Sequence, residues 1–435
     1  MAVGSDGMVR AQNPSNTIES RTFGSLFSPE QQLFEEMMTK QRKLRAISLF
    51  SGCGGLDLGF HQVGFTIEAA FDINPAAVTS YNHNIEPTAR IHDLSSEEPL
   101  PYKGKVDVLL AGSPCQGFSV AGKRDLEDPR NSLLLRAGRY ALQLQPKIFL
   151  AENVPGVLSG GHKTYWTALE ELLRGDGYST TTIKVSALDF GAAQQRNRIF
   201  MIGWKSKAPI DLTFTKAPHR SLFDAIGNLS ATAHNHDIAP LKKKSADYLI
   251  SRKIGVGMKL SNVRDGERAV HTWEIPEVFG HTTLPERALL TRMIKLRRQI
   301  RVREVGDADP VPLTTLHKEF GPRVDHLVFS LLQKGYLKQV DDCVDLRNTF
   351  NGKYRRLAWE RPSYTVDTYF GNPRYFLHPT EHRGFSVREA ARIQGFPDDF
   401  KFLGSEQQNF QMIGNAVSPL VARGLAQVIK DGLLA

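Results

Sequence analysis

The sequence predicts an α/β protein built on a doubly wound sheet, followed by a second, smaller domain. Three observations support this prediction. Short apolar runs alternate with helix-length segments from residue 45 to about residue 205. A glycine-rich turn follows the first apolar run, and the sequence becomes rich in Pro, Lys and Arg after Lys205. Because such alternation is typical of βαβ units, we expect parallel strands covered by helices on both faces.

The apolar runs predict the strands of the first domain, which we assign to residues 45–205. These runs are Ala46–Phe50, Thr66–Phe71, Val106–Ala111, Ile148–Ala151, Thr180–Ser186 and Ile199–Gly203. Residues 1–44 precede them and predict a loose N-terminal arm with one short helix. The helix is indicated by a capping-box pattern at Ser28–Gln31, which comes just before apolar residues at helical spacing.

The middle of the chain, residues 206–360, predicts a second domain that contains helices. Leu289, Met293, Leu296 and Ile300 form an apolar stripe at helical spacing, in a segment crowded with Arg and Lys. A second stripe between residues 324 and 332 stops shortly before Gly335. We therefore expect a small helical or winged-helix-like insertion at about 286–350.

The composition indicates which kind of partner the protein binds and in which cellular compartment it works. The formal net charge is +9 and the sequence pI is about 9.3. This excess of Lys and Arg favours nucleic acid, because basic side chains bind phosphates through counterion release, although a solvated basic surface would also explain it. The three cysteines cannot form a disulfide framework, and we see neither a secretory signal nor an apolar run long enough to span a bilayer. These features predict a protein of the reducing cytoplasm.

A glycine-rich segment, Phe50–Asp57, lies directly after the first predicted strand. Glycines there let the backbone turn tightly and approach a ligand at the carboxyl end of a strand, where open α/β sheets bind cofactors. The dinucleotide pattern G-x-G-x-x-G fails because Asp57 stands at the place of its third glycine, which argues against NAD or FAD. The segment indicates a nucleotide-type cofactor loop, with a purely structural turn as the alternative.

Two acidic residues follow the next runs. Asp72 ends the second apolar run, about 20 residues beyond the glycines, where a carboxylate can accept hydrogen bonds from both ribose hydroxyls. Asp93 closes the following short run, where a carboxylate can accept a bond from an adenine amino group. Either carboxylate could instead cap a loop.

The strongest constellation pairs a thiol with an acid. The run Val106–Ala111 continues through Gly-Ser-Pro to Cys115, and the run Ile148–Ala151 ends at Glu152. Because both strands are expected to end at the same edge of the sheet, the thiol and the carboxyl should converge as nucleophile and proton donor. The alternatives are a buried, inert cysteine and a helix-capping Glu-Asn pair.

An arginine pair comes just before the last strand, in the segment Gln194–Arg198. We expect one of the two guanidinium groups, of Arg196 and Arg198, to face the site while the other contacts packed residues or phosphate. Ordinary surface charge is the alternative explanation.

Taken in order, these segments resemble the motif series of the cytosine-C5 DNA methyltransferases. The matches are Phe50–Gly55 for the cofactor loop, Pro114–Gln116 for the nucleophile, Glu152–Val154 for the acid, Gln194–Arg198 for a Q-x-R-x-R motif, and Arg388–Pro397 and Gly414–Val417 for the last two blocks. Six matches in the right order cover roughly residues 45–205 and 361–430.

The resemblance implies a Rossmann-like methyltransferase sheet and a covalent mechanism. Cys115 would attack C6 of a cytosine that has left the DNA stack, which makes C5 nucleophilic enough to take a methyl group. Glu152 would bind or protonate N3 of the ring, and Arg198 would bind the oxygen O2, with Arg196 beside it in the catalytic motif.

The resemblance also implies S-adenosyl-L-methionine as the cofactor, with no metal. Its site would be formed by Phe50, Gly52, Gly54, Gly55, Asp72, Ile73, Asp93, Pro114, Asn415, Ala416 and Val417. The sequence departs from the family in two places. Many members have Glu where Asp72 stands, and some have Trp where Ile73 stands, so the ribose and adenine contacts are expected to differ.

The partner implied by the resemblance is double-stranded DNA. Residues 206–360 occupy the place of the target-recognition domain, whose basic side chains would contact phosphates while loops read bases. Residues 361–435 would return to the catalytic domain. Gln116, Ser119 and Arg298 are expected to contact DNA. We further expect a monomeric bacterial enzyme of the cytoplasm, associated with the nucleoid and functionally paired with a restriction endonuclease.

Two alternatives stay open. One is an RNA (tRNA) cytosine-C5 methyltransferase of the same superfamily, which the large basic middle region disfavours. The other is a non-catalytic DNA-binding relative, which would be expected to have lost Cys115 or Glu152. The motif of amino-methylating DNA enzymes, Asp/Asn/Ser-Pro-Pro-Tyr/Phe, is absent from the sequence.

Overall fold

The computed structural model describes residues 43–96, 98–114, 128–205, 210–303 and 308–434. Residues Leu44–Ala435 form one compact unit. The predicted N-terminal arm and short helix, and the predicted functional residues Cys115, Gln116 and Ser119, lie outside the described residues.

The strands follow the predicted apolar runs closely, with additional short strands that the runs did not indicate. They are β1 (Arg45–Leu49), β2 (Thr66–Asp72), β3 (Ala89–Ile91), β4 (Val108–Ala111), β5 (Ile148–Asn153), β6 (Ser179–Ser186), β7 (Gln194–Gln195), β8 (Asn197–Trp204), β9 (Lys259–Ser261), β10 (Ala269–Val270), β11 (Val311–Pro312), β12 (Leu337–Val340), β13 (Cys343–Leu346), β14 (Asn351–Lys353), β15 (Arg355–Arg356), β16 (Ser363–Tyr364) and β17 (Phe376–Leu377).

The helices pack around these strands. They are α1 (Gly55–Gln62), α2 (Pro75–Asn84), α3 (Ser132–Leu144), α4 (Lys163–Gly175), α5 (Leu222–Ile226), α6 (Ala246–Lys253), α7 (Pro276–Phe279), α8 (Leu284–Gln299), α9 (Leu313–Phe320), α10 (Val324–Gln333), α11 (Val387–Gln394), α12 (Glu406–Asn415) and α13 (Pro419–Leu434).

The main sheet has seven strands in the order β3-β2-β1-β4-β5-β8-β6. The chain starts in the centre at β1, winds outward to β3, and then crosses to the other half, which confirms the doubly wound α/β fold. The prediction of a wholly parallel sheet is wrong at one strand. β8 runs antiparallel to both β5 and β6, because the chain reverses direction after β6 and inserts β8 between them.

Apolar side chains cover both faces of this sheet. On one face, Phe60 and Phe65 pack with Leu425 and Ile429 of α13. On the other face, α3 and α4 supply a second cluster that includes Trp166. Each fully buried Leu, Ile or Phe contributes roughly 1.5–3 kcal/mol, so these two layers fix the sheet and hence the positions of its carboxyl ends.

The C-terminal segment Glu406–Leu434 is long and apolar enough by composition to cross a membrane, with a mean hydropathy of 1.2. In the structure it is two helices, α12 and α13, and 61% of its most apolar window is buried inside the protein. Gly59 allows α1 to pack closely against α13, because a Cβ at residue 59 would lie 2.4 Å from the Cβ of Ala422. The apolar residues of α13 therefore belong to the protein core.

The middle of the chain has two further apolar clusters, separate from those of the main sheet. One joins α6 to β9 and β17 through Ile250, Leu260 and Leu377. The other lies between residues 273 and 346, so it begins before the insertion predicted at about 286–350 and overlaps most of it. This cluster is built from α8, α9, α10 and a three-stranded sheet in the order β11-β13-β12. Thr283 begins α8 with a capping box that includes Glu286.

Candidate active site

A cavity of about 530 Å³ opens at the carboxyl ends of β1, β2, β4 and β5, where open α/β sheets bind ligands. Its wall contains most of the residues predicted from the sequence. These are Phe50, Gly52, Gly55, Asp72, Ile73, Asp93, Pro114, Glu152, Arg198, Asn415, Ala416 and Val417. Residues from the ranges 50–114, 152–198 and 415–417, which are distant in sequence, thus meet in one cavity.

The loop between β1 and α1 forms the floor of this cavity. Phe50 has φ 56°, an uncommon left-handed conformation for a non-glycine residue, which costs on the order of 1–3 kcal/mol and is held by its surroundings. Gly54 also has a positive φ, of 91°, but it does not line the cavity. A Cβ at Gly54 would lie 2.4 Å from Cδ1 of Ile85, so this glycine is needed for packing.

Asp72 at the end of β2 fixes that loop from the side. Its Oδ2 accepts a hydrogen bond from the backbone N–H of Gly52 at 2.8 Å, and its Oδ1 accepts one from Asn74 at 2.8 Å. Burial raises the pKa of Asp72, and these backbone bonds partly oppose the shift. Each carboxylate oxygen keeps a lone pair that can accept a ribose hydroxyl.

Ile73 and Asp93 lie next to Asp72 at the mouth of the cavity. The side chain of Ile73 is 64% exposed, so it offers an apolar surface where some members of the resembled family have Trp. Asp93 accepts bonds from the backbone N–H and the hydroxyl of Ser95 at 2.9 and 2.6 Å, which lower its pKa. The carboxylate is charged at neutral pH and available at the rim.

Glu152 and Arg198 form an ion pair on the opposite wall. The distance from Arg198 Nε to Glu152 Oε1 is 2.8 Å, and both side chains are largely buried. They meet because β5 and β8 are antiparallel neighbours with Glu152 opposite Phe200. Burial raises the pKa of Glu152, while the charges of Arg198 and Arg196 lower it.

Arg196 does not join this pair. Its guanidinium donates to the backbone carbonyls of Val366, Gly414 and Ala416, each at 2.9 Å, and the residue is 2% exposed. Residues two apart on one strand would share a face, but Arg196 lies in the break between β7 and β8 and points elsewhere. The structure therefore places Arg196 outside the cavity, in contact with the segment that carries Asn415–Val417.

Arg298, predicted to contact DNA, is not part of this cavity. It is exposed near the end of α8 and lines a separate cavity of about 240 Å³ together with Arg297 and Arg303. Among the residues that the structure describes, no group of three or more His, Cys, Asp and Glu side chains could hold a metal ion.

Two buried polar residues of the site were missed in the sequence. Asn153 donates to the hydroxyl of Ser113 at 3.2 Å and so braces the loop that leads to Pro114. Asp57 is fully buried in the cavity wall and accepts bonds from the hydroxyls of Ser48 and Tyr81 at 2.9 and 3.0 Å. Asn153 stood inside a recognised motif, but only the fold shows which side chain it holds.

The arrangement combines two chemical capacities in one cavity. The loop and Asp72 offer backbone and carboxylate groups for a nucleoside, and the rim adds Ile73 and Asp93. The wall with Glu152 and Arg198 offers a carboxyl whose pKa is raised by burial beside a fixed cation. Such a wall suits a planar, polar ring that must accept a proton and bind a cation.

Comparison with known proteins agrees with this geometry. The family model described as C-5 cytosine-specific DNA methylase matches residues 44–431. The chain is 28% identical to the type II methyltransferase M.HgiCII of Herpetosiphon aurantiacus, over 90% of this chain and 97% of that protein. It is 29% identical to the type II methyltransferase M.AgeI of Thalassovita gelatinovora, over 89% of this chain and 99% of that protein.

Solved structures give the same result. A DNA modification methyltransferase encoded within an E. coli prophage is similar with a TM-score of 0.53 and 26% identity, over 90% of this chain and all of that chain. The Entamoeba histolytica methyltransferase EhMeth, at 15% identity and a TM-score of 0.50, shares the fold. With its family model matched over nearly its whole length, the chain belongs to the C-5 cytosine-specific DNA methylase family and is a DNA (cytosine-5-)-methyltransferase.

Proposed function

We propose that this enzyme transfers a methyl group from S-adenosyl-L-methionine to C5 of a flipped cytosine in a specific duplex DNA sequence, through a covalent bond between Cys115 and C6. The observation that carries the proposal is the Glu152–Arg198 pair, which lies on the wall of the same cavity as the glycine-rich loop and Asp72. The flipped cytosine and the cofactor would therefore bind next to each other in this cavity.

The cofactor proposal rests on the fit of the cavity. Its volume of about 530 Å³ is in the range of small-molecule sites. Asp72 would bind the ribose, Ile73 would contact the adenine ring and Asp93 would accept from its amino group, while Phe50, Gly52 and Gly55 would line the remainder with Asn415–Val417. When bound, S-adenosyl-L-methionine supplies an electrophilic methyl group.

Glu152 is the proposed proton donor to N3 of cytosine. Burial raises its pKa, so the carboxyl retains a proton at higher pH than an exposed glutamate does. Attack at C6 places negative charge on the ring, and a proton or hydrogen bond at N3 stabilises that charge. Arg198, held to Glu152 at 2.8 Å, would bind O2 and fix the ring against the acid.

Cys115 is the proposed nucleophile. Its thiolate adds to C6, the C5–C6 electron pair moves to C5, and C5 then takes the methyl group as the methyl–sulfur bond breaks. A base removes the C5 proton, the returning electron pair expels the thiolate, and N3 returns its proton to Glu152, so the product is neutral 5-methylcytosine and free enzyme. Pro114, the residue before Cys115, lines the cavity next to this wall. The flipped base would reach it at a cost of a few kcal/mol.

Duplex DNA is the proposed substrate, and the basic composition supports it. The chain carries 55 Lys and Arg against 46 Asp and Glu. Acting on genomic DNA, the enzyme would work as a monomer in the bacterial cytoplasm at the nucleoid. A cognate restriction endonuclease is proposed as its functional partner.

The test is to map 5-methylcytosine in DNA from cells that express the chain, beside cells that express Cys115→Ser. Cys343→Ser, at a half-buried cysteine outside the cavity, is the matched control. We expect 5-methylcytosine at one sequence with the wild type and the control, and none with Cys115→Ser. Methylation of tRNA in place of duplex DNA would favour the RNA alternative.

The covalent step needs its own measurement. Duplex DNA with 5-fluorocytosine at the target should trap the enzyme, because fluorine at C5 cannot leave as a proton does. We expect a denaturation-resistant complex that requires S-adenosyl-L-methionine and is absent with Cys115→Ser. An active enzyme that is never trapped would contradict the covalent route.

A further inference from the structure

The segment between Trp273 and Leu346 forms a module with a core of its own, and the role inferred for it rests on the proposed function, with DNA as the substrate. Its elements run helix, strand, helix, helix, strand, strand, as α8, β11, α9, α10, β12 and β13. The three strands are antiparallel in the order β11-β13-β12. This connectivity and sheet order are those of a winged helix, one of the two forms predicted from the sequence.

Helices α9 and α10 form the helix-turn-helix of this module. The turn between them is Gly321-Pro322-Arg323, and Gly321 has φ 70°, which favours glycine. The inward face of α10 is buried through Val324, Val328 and Leu331, which pack with α8. A second helix held in this way presents its other face to solvent.

That outward face carries a distinct set of side chains. Arg323, His326, Phe329 and Gln333 are exposed and recur at helical spacing along one side of α10. Phe329 is 65% exposed. Within the described ranges, Arg323, His326 and Gln333 make no side-chain hydrogen bond or ion pair, whereas the neighbouring Asp325 is bound to His317 at 2.7 Å.

We propose that α10 is a recognition helix that enters the major groove of the DNA substrate and reads bases with this face. The side-chain types match the groove. Arginine donates two bonds to guanine, glutamine bonds adenine in two places, and an aromatic ring contacts the thymine methyl group. A recognition helix reads bases with residues near its N-terminus, where Arg323 and His326 lie.

The contact is assigned to the helix and not to the turn between β12 and β13. That turn carries Asp341 and Asp342, both exposed, whose charges would be repelled by phosphates. Lys338 nearby is held 3.5 Å from Asp345. The acidic turn would therefore face away from the DNA backbone while α10 lies in the groove.

The experiment uses the full-length enzyme and a library of duplexes that are randomised around the methylation site. The variant is Arg323→Ala, at the N-terminal end of α10. The matched control is Arg139→Ala, which removes the same side-chain type from the exposed face of α3. Methylation is counted sequence by sequence, with thermal unfolding measured for each protein.

We expect the variant to keep its melting temperature and to lose discrimination at one or two base pairs by roughly 5- to 150-fold for each bidentate contact removed. The control should match the wild type. An unchanged sequence profile in an active, folded variant overturns the proposal, and so does a change confined to self-association in sedimentation. If the wild type methylates no duplex, the proposed function itself has failed, which is a different result.

Discussion

The catalytic edge of the sheet and the module between residues 273 and 346 are held together in different ways. At the edge, polar bonds join residues that are far apart in sequence, such as Arg196 to Ala416 at 2.9 Å and Cys53 to the carbonyl of Met412 at 3.8 Å. The module builds an apolar core from one continuous stretch of chain. The catalytic edge therefore depends on buried polar bonds between distant segments, whereas the module combines a local apolar core with polar contacts of its own, such as the buried ion pair of Arg297 and Asp345.

The largest expected effect is on catalysis at Glu152. Replacement by Gln keeps the shape and the contact with Arg198 but removes the proton, so we expect kcat to fall by roughly 10²- to 10⁴-fold with little change in stability. Because burial raises the pKa of Glu152, the wild-type rate should fall as pH rises through that pKa, and the variant should lack this limb.

The measurement is single-turnover methyl transfer to duplex DNA as a function of pH. Glu170→Gln serves as control, since Glu170 pairs with Arg174 on the surface of α4. If the Glu152→Gln enzyme had a near wild-type kcat, Glu152 would not be the proton donor. Catalysis at the edge of the sheet would then not depend on this buried carboxyl.

The second effect separates the two arginines of one motif. Arg196→Met would leave three buried carbonyls without their donor, so we expect the free energy of unfolding to fall by roughly 3 kcal/mol or more. Arg198→Met should cost less than half as much, because Glu152 can protonate when its partner is lost, yet it should lower activity more per folded molecule. Urea unfolding and methyl transfer on both variants test this; equal stability losses would contradict it.

These two arginines also illustrate which features of the fold and the site the sequence could predict and which it could not. The apolar runs located the strands of the main sheet, because buried strands need continuous apolar residues, and the motif order located the cavity. β3 was indicated only as the short run closed by Asp93 and was not assigned as a strand, because it is short and only its first residue is buried. For Arg196, the sequence led us to expect that one arginine of the pair contacts packed residues, but it did not indicate which groups that arginine binds. A break after β7 turns the side chain of Arg196 toward Gly414 and Ala416, and no local pattern encodes that contact.

The antiparallel β8 illustrates the same limit. Its apolar residues are those of any buried strand, so they indicate neither its direction nor its place between β5 and β6. In the module the apolar stripes were sufficient to locate two helices, because the stripes correspond to the buried faces of α8 and α10. Local periodicity thus specifies a locally folded module better than a site assembled from distant segments.

The third effect is a pH dependence of stability from Asp57. Burial raises its pKa to about 6, although bonds from Ser48 and Tyr81 oppose the shift. Between the ordinary aspartate pKa and this value, the folded protein binds the proton that the unfolded chain releases, so stability should fall as pH rises, by roughly 3 kcal/mol in all.

Asp57→Asn cannot titrate and should flatten that part of the profile. Urea unfolding of both proteins at several pH values between about 4 and 7 measures the difference in slope. Parallel profiles would mean that the buried carboxyl does not set the stability of the catalytic edge.

The smallest effect is expected in the module, at the exposed ion pair between Arg292 of α8 and Glu319 of α9. Both side chains are about 30% exposed, so water and salt screen their attraction, and Glu319→Gln should change the free energy of unfolding by less than about 1 kcal/mol. Leu331→Ala, in the module's core, should cost roughly 2–5 kcal/mol. Urea unfolding at low and high salt measures both, and a Glu319→Gln loss as large as that of Leu331→Ala would mean that an exposed ion pair stabilises the module as much as its apolar core does.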